Sequence, residues 1–323
     1  MIVKLKIQRV LIQHQYLFSI LLSLFVITLA IGTQSGTPYN RTAVDFGFAQ
    51  ITWYAIFILT GIFVALFLSA NEMKKLKMNT EFLYDGILWA LPLSILGARL
   101  YYVLFDPLPH YQSFIDVINI SKGGLAIHGA VIIASLFTIF YTRKKKMNIW
   151  IILDILAIGF LVGQILGRFG NFMNHEAYGP SFGNSWIMSL IPNFITNQMT
   201  DGTIIHQPTF LYEGLWNFLG LSILLFVRRR KILKIGDMFG LYLIWYGLGR
   251  GLIIEPLRVQ GAYGDSLMIF GYPVNIYMSL IGFVGLGLTF IIIKNLKKNN
   301  LPYYVDIYKL EKTVDYVHGR IKI

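Results

Sequence analysis

Residues 149–167 read IWIILDILAIGFLVGQILG, with Asp154 as the single charge, and are flanked by Arg143-Lys144-Lys145-Lys146 before and Arg168 after. A helix rising about 1.5 Å per residue needs about 20 mostly apolar residues to cross a hydrocarbon layer about 30 Å thick, so this run predicts a transmembrane helix. Its apolar residues are continuous rather than alternating, which argues against a strand of a membrane barrel. Seven further runs have the same character: 11–32, 51–70, 84–105, 123–142, 209–227, 236–254 and 270–293. The composition agrees, because 55% of the 323 residues are hydrophobic, 15% aromatic and only 14% charged. A soluble domain does not have that balance.

The basic residues fix the topology. Counted in alternate connections from the N-terminus, Lys and Arg cluster around 4–9, 74–77, 143–146, 228–234 and from Lys294 onward, and these clusters hold all but six of the 28. By the positive-inside rule this predicts an even number of spans with both termini cytoplasmic. The net charge of +12 therefore comes from short clusters between apolar runs, not from the continuous face that a nucleic-acid binder presents. The first run reads as a retained helix rather than a cleaved signal peptide, since it is long and Ile31-Gly32-Thr33 makes a poor small-x-small site. The stretch from Asn299 is polar and aromatic and reads as a short cytoplasmic appendage. No internal repeat suggests a transporter built from two halves. Cysteine is absent, which excludes disulfides, thiolate metal sites and an enzyme-borne thiol nucleophile. The nucleophile is another residue or belongs to a substrate. The histidines and carboxylates lack metal-ligand spacing, so no metal and no cofactor is expected.

Six basic residues lie on or near the outer side: Arg41, Arg99, Lys122, Arg168, Arg250 and Arg258. A charge in or beside hydrocarbon costs about 2.5–3.5 kcal/mol on insertion scales, so such residues need carboxylate partners or anionic ligands. Arg41 and Lys122, in loops, read as side chains reaching headgroups. Arg168 belongs to Gly167-Arg168-Phe169-Gly170-Asn171-Phe172-Met173-Asn174-His175-Glu176-Ala177-Tyr178-Gly179. One reading is a capped helix end, with Asn171 or Asn174 bonding free carbonyls or turning left-handed and Gly179 permitting a turn. The other is a functional site, because capping alone needs neither Arg168 nor Glu176.

Gly123-Gly124-Leu125-Ala126-Ile127-His128-Gly129 opens another helix with one histidine. His128 is either a hydrogen-bonded polar residue or a base, since neutral imidazole accepts a proton near neutral pH. His206-Gln207-Pro208-Thr209-Phe210-Leu211-Tyr212-Glu213 starts a third helix, with Pro near its first turn. Glu213 there either pairs with an arginine or faces the helix's positive end. Arg250, Glu255 and Arg258 close the penultimate span, with Glu255 and Arg258 on one helical face. Two arginines facing one carboxylate leave positive charge over, and guanidinium can clasp a phosphate bidentately. Together these clusters imply an outward-facing site for an anionic lipid.

The run from Gly167 to Gly179 resembles the signature Gly-Arg-x-Gly-Asn-Phe-x-Asn-x-Glu-x-x-Gly of the prolipoprotein diacylglyceryl transferases. Supporting matches follow in the family's order at Trp53-Tyr54, Gly97-Ala98-Arg99, Gly123 to Gly129, Pro208 to Glu213 and Glu255 to Arg258, covering residues 50–290. The resemblance implies an all-α integral membrane protein with a seven-helix transferase core, here carrying one extra N-terminal transmembrane helix. Its expected division is 1–45 for the cytoplasmic segment, extra helix and outer loop, 46–295 for the core and 296–323 for the tail. The implied place is the bacterial cytoplasmic membrane, with the active site toward the outer leaflet. The implied partners are phosphatidylglycerol, other membrane lipid and prolipoprotein lipobox peptides, with no nucleic acid.

The implied reaction moves a diacylglyceryl group onto the lipobox cysteine thiol and releases glycerol phosphate. A thiolate is the nucleophile and free cysteine has a pKa near 8.5, so a base and a positive field both help. The matched positions assign His128 as base, Arg168 and Arg250 as phosphate clamps, and Asn171 as an orienting group. Tyr54 and Arg258 would contact lipid or phosphate, Glu176 and Glu255 would hold the arginines, and Gly179, Arg99 and Glu213 would support the site. Two departures stand out. The family spaces its last Arg and Glu by four residues, whereas Arg250 and Glu255 are five apart. Five residues turn a helix by about 500°, so either a π-bulge restores the register or Arg250 is displaced. The family's His-Pro also reads His206-Gln207-Pro208, which favours His128 over His206 as the base. Competing readings are a channel or transporter for a phosphate-containing solute and a non-catalytic lipid-binding membrane protein.

Overall fold

The structure is a computed structural model that describes residues 2–105, 111, 113–118, 124–183, 186–259, 268–270, 272–297 and 301–308. Lys122 and Gly123 lie outside the described residues, as do the side chains of residues 2–14 and of Arg258. The chain is mostly helical: α1 Ile2–Gly32, α2 Trp53–Lys75, α3 Glu81–Leu104, the short α4 Phe114–Ile118, α5 Ile127–Lys144 and α6 Ile149–Met173. After these come the short α7 Asn193–Thr196, then α8 Thr209–Val227, α9 Asp237–Leu248 and α10 Glu255–Val259. The last are the short α11 Val274–Tyr277, α12 Gly285–Lys297 and the short α13 Tyr304–Ile307. Two small antiparallel hairpins, β1 Thr42–Asp45 with β2 Gln50–Thr52 and β3 Met268–Ile269 with β4 Tyr272–Pro273, are the only strand pairs among the described residues.

Six helices among the described residues are long and apolar enough to cross a membrane: Gln15–Gly32, Trp53–Lys75, Glu81–Leu104, Ile149–Met173, Thr209–Val227 and Val274–Leu296. The two other expected spans are helical as well. One is α5. The other is α9 continued through a π-helical segment, Gly249–Ile254, into α10.

The chain forms two compact units. One contains residues 1–71 and 153–307; the other contains 72–152 and Tyr308. In the first, one face of α1 packs inward: Val26 and Ala30 join Phe57, Val64, Leu68, Val162, Leu166, Phe172 and Phe210 in one buried cluster. Tyr16 Oη also accepts a hydrogen bond from Arg228 Nη2 at 2.8 Å. The described part of the stretch expected as an appendage packs onto the α8–α9 connection. Ile235 N donates to Pro302 O at 3.2 Å and Tyr304 N to Leu233 O at 2.8 Å. Leu301, Tyr304 and Ile307 are buried. Ending the chain after residue 300 removes three buried apolar side chains worth about 1.5–3 kcal/mol each. The expected result is a lower thermal unfolding midpoint in detergent; an unchanged midpoint contradicts this packing.

In the second unit α3 and α5 meet at glycines. A Cβ on Gly129 would stand 2.2 Å from Gly97 O and 2.4 Å from Tyr101 Cβ, and one on Gly97 would stand 2.4 Å from Ile133 Cγ1. Small residues let membrane helices approach closely where no water drives them together. Gly129→Ala is therefore expected to cost about 1–3 kcal/mol of stability by overpacking. Gly163→Ala, with nothing within 4 Å of the new methyl, is expected to be neutral or stabilising. Thermal unfolding of both variants checks the contrast.

Candidate active site

The site grows from the end of α6. Asn174 N bonds Gly170 O at 2.9 Å, His175 N bonds Phe172 O at 3.2 Å and Glu176 N bonds Asn171 O at 3.2 Å, which closes the helix. The left-handed residues are His175 and Ala177, both at φ 59°. That corrects the expectation of a turn at Asn171, Asn174 or Gly179. Gly179 is small for another reason: its N–H donates to Gln207 O at 2.9 Å, and a Cβ there would stand 2.9 Å from Gln207 Cβ and 3.0 Å from Thr209 Cγ2. The strand-like 206–208 segment leading into α8 passes against it. Because the main chain of 174–176 caps the helix, the Asn171 side chain is left for the site.

From Asn171 a polar chain runs across three helices. Asn171 Nδ2 donates to Glu176 Oε1 at 2.7 Å, and Arg168 Nη1 donates to Asn171 Oδ1 at 3.3 Å. Arg168 Nη2 donates to Glu213 Oε1 at 2.6 Å, and Glu213 Oε2 lies 3.9 Å from Arg250 Nη1. Arg250 Nη2 in turn bonds Glu255 Oε1. The carboxylates are sealed, with Glu213 and Glu255 side chains 5% and 3% exposed, while Arg168 and Arg250 keep 18% and 19%. Burying those carboxylates is costly unless they are paired, and here each is. The result is two guanidinium groups set against buried carboxylates, each about a fifth exposed, an arrangement suited to a phosphate.

Glu213, which the sequence left between pairing and helix-end duty, sits between both arginines. Glu255 holds Arg250 as expected, whereas Glu176 reaches Arg168 only through Asn171. Arg168 and Arg250 thus face one carboxylate, Glu213; whether Arg258 also faces Glu255 lies outside the described side chains.

The five-residue spacing is resolved by the π segment Gly249–Ile254, whose wider turn carries Arg250 and Glu255 to one side; Glu255 N bonds Arg250 O. Tyr54 lies in the first turn of α2 and its ring lies on the bare face of Gly170, where a Cβ would come within 2.9 Å of Tyr54 Cδ2. It is within electrostatic reach of Arg168 and Glu176.

Arg99 and His128 belong to the second unit. Arg99 is 7% exposed and donates to three main-chain carbonyls: Nε to Val117 at 2.7 Å, Nη2 to Asp116 at 2.7 Å and Nη1 to Gly124 at 3.1 Å. Its charge organises the loop before α5. Gly124, at φ 78°, leaves room for it, since a Cβ would stand 2.5 Å from Arg99 Nη1. His128 is exposed, its ring 5.8 Å from that of Tyr101, and among the described residues it has no hydrogen-bond partner. The reading of His128 as a satisfied polar residue is therefore not what the structure shows.

A second cluster, not anticipated as a unit, adjoins the 174–179 turn. His206 Nδ1 lies 3.1 Å from Gly179 O and Nε2 lies 3.2 Å from Asp201 Oδ2. Tyr178 stacks on His206 at 5.3 Å between centroids, and His175 meets Tyr178 edge-on at 5.2 Å. Main-chain N–H groups of Ile204 and Thr203 hold the Asp201 carboxyl below the ordinary carboxylate range. Burial pushes the Tyr178 phenol up to about 12 and the His175 imidazole down. The sequence signal was the Asp201-Gly202 turn placed to return His206 beside Gly179.

Residues 41–293 match the family described as prolipoprotein diacylglyceryl transferase. Among curated relatives, the phosphatidylglycerol–prolipoprotein diacylglyceryl transferase of Listeria monocytogenes is 41% identical over 270 residues, 83% of this chain and 94% of that protein. The Streptococcus pneumoniae protein of the same name is 42% identical over 264 residues, 81% of this chain and 96% of its own length. A match of that length and identity, over the segment that carries the arginine–glutamate chain, places this protein in the prolipoprotein diacylglyceryl transferase family.

Proposed function

We propose that this chain transfers the diacylglyceryl group of phosphatidylglycerol to the lipobox cysteine thiol of a prolipoprotein, from the outer leaflet of a bacterial cytoplasmic membrane. Family membership supports the reaction, and the observation that carries the chemistry is that buried Glu213 and Glu255 hold the partly exposed guanidinium groups of Arg168 and Arg250 side by side. The sulfur bonds to the glycerol carbon that bears phosphate. The carbon–oxygen bond breaks, and the electron pair leaves with glycerol phosphate. Charge grows on the departing phosphate oxygen, where a preorganised guanidinium stabilises the transition state more than the ground state. Arg168 and Arg250 take that role. Asn171 orients Arg168, Glu213 and Glu255 hold the two arginines, and Tyr54 and Arg258 contact the lipid.

His128 is assigned the thiol proton on the chemistry of its imidazole. Across pH 6 to 9, His128→Gln is expected to flatten the acid limb of the rate profile and to slow transfer most near neutrality; wild-type turnover across that range removes the base role. The lopsided distribution of Lys and Arg supports cytoplasmic termini. The extent of the family match, residues 41–293, supports a core of 46–295 between an N-terminal segment and a tail. A phosphate-solute transporter is not favoured by a family match that spans 41–293.

A further inference from the structure

α8 and α9 are joined by a reciprocal pair of tryptophans. Trp216 Nε1 donates to Trp245 O at 3.1 Å, and Trp245 Nε1 donates to Trp216 O at 3.1 Å. The rings stack with centroids 4.2 Å apart and planes 17° apart. Each indole is seated on a glycine of the opposite helix: a Cβ on Gly249 would stand 2.3 Å from Trp216 Nε1, and one on Gly220 2.3 Å from Trp245 Nε1. The sequence thus carries Trp-x-x-x-Gly twice, Trp216 to Gly220 and Trp245 to Gly249, so that ring and seat lie on one face of each helix.

Packing sets how closely the two helices approach. Two directional hydrogen bonds, each from a side chain to the partner's main chain, fix the sliding coordinate. A helix carbonyl already bonded to the N–H four residues on has a second lone pair for the indole. In an apolar surrounding, losing such a bond leaves an indole N–H unsatisfied, which opposes any shift.

The lock sits beside the arginine–glutamate chain. Glu213 precedes Trp216 by three residues and shares its face of α8; Arg250 directly follows Gly249, at the start of the π segment. Glu213 Oε2 and Arg250 Nη1 are 3.9 Å apart, close enough for attraction but not for a hydrogen bond. Nothing in that contact itself fixes its length. We infer that Trp216 and Trp245 are positioning residues for transfer: they set the axial register of α8 on α9, and so hold Arg250 where Glu213 steadies it without capturing it. This inference rests on the transferase reading above and adds a specific pair to it.

The test is a double-mutant cycle on the purified full chain in detergent with phosphatidylglycerol and a lipobox peptide. Trp216→Phe and Trp245→Phe keep an aromatic ring and remove the donor. Each is expected to lower kcat about tenfold and to change KM for phosphatidylglycerol less than about twofold; in an Arg250→Lys background the same change is expected to cost less than about twofold. Benzothienylalanine at position 245, which has the shape of tryptophan without its N–H, is expected to behave as Trp245→Phe and guards against variants that do not fold. Equal losses in both backgrounds, or wild-type kcat with benzothienylalanine, overturn the proposal. The two failures are distinguishable: a wild type that transfers nothing sinks the transferase reading, whereas a wild type that transfers while the tryptophan variants lose equally in both backgrounds sinks only the register proposal.

Discussion

Arg168→Ala lowers the rate of diacylglyceryl transfer by about two to three decades, corresponding to the 3–4 kcal/mol that a preorganised charge contributes at a developing anion. The expected loss falls on kcat more than on KM, because the guanidinium gains most when the phosphate oxygen takes up the electron pair. Two side effects separate this from simple unfolding. The variant frees Asn171 Oδ1 and leaves Glu213 with Arg250, 3.9 Å away, as its remaining basic neighbour, so some loss of stability accompanies the loss of rate. Arg168→Lys restores a point charge without the planar fork, and is expected to recover stability more fully than rate. Thermal unfolding and single-turnover transfer on the same preparations check this, and a loss below threefold for Arg168→Ala removes the residue from the mechanism.

Glu213→Ala has the largest expected effect on stability. The carboxylate is 5% exposed and lies between two guanidinium groups, so truncation leaves two facing positive charges and no counter-ion between them. Breaking a buried ion pair costs about 3–5 kcal/mol; with each arginine about a fifth exposed, about 2–4 kcal/mol is expected here. Phosphatidylglycerol should restore part of that loss, since an anionic headgroup that binds only the folded chain stabilises it by mass action. The measurement is the unfolding midpoint of wild type and variant in neutral detergent and in detergent containing phosphatidylglycerol. A variant as stable as wild type, or equally restored by phosphatidylcholine, contradicts the placement of Glu213 between the arginines.

Much of this architecture is legible along the chain, because a membrane span is a local property. The run 149–167 identifies its helix without help from any other segment. The spacing of Arg250 and Glu255 is also local, and it reduces the possibilities to two. The π segment Gly249–Ile254 is one of them, and it brings the two side chains together.

The pairing across helices is what one-dimensional reading cannot supply. Glu213 is 45 residues from Arg168, and its choice of partner depends on how α6, α8 and the π segment pack. Gly179 illustrates a different failure: a glycine at the end of a motif reads as a turn, but its small size serves the chain at Gln207 and Thr209. The left-handed positions fall on His175 and Ala177; histidine has some preference for that region, but alanine has none to give warning. The Trp-x-x-x-Gly pair was visible in the letters, yet two aromatic residues inside apolar runs look like ordinary packing until their N–H groups are traced.

The most direct measurement is transfer of radiolabelled diacylglyceryl from phosphatidylglycerol to a lipobox peptide by the purified chain, run beside Arg168→Ala and beside a peptide with its cysteine changed to serine. Label in the cysteine peptide with wild type, with little from Arg168→Ala and none in the serine peptide, is the expected result; a well-folded wild type that labels no peptide, or labels the serine peptide equally, contradicts a transferase that uses its substrate's thiol.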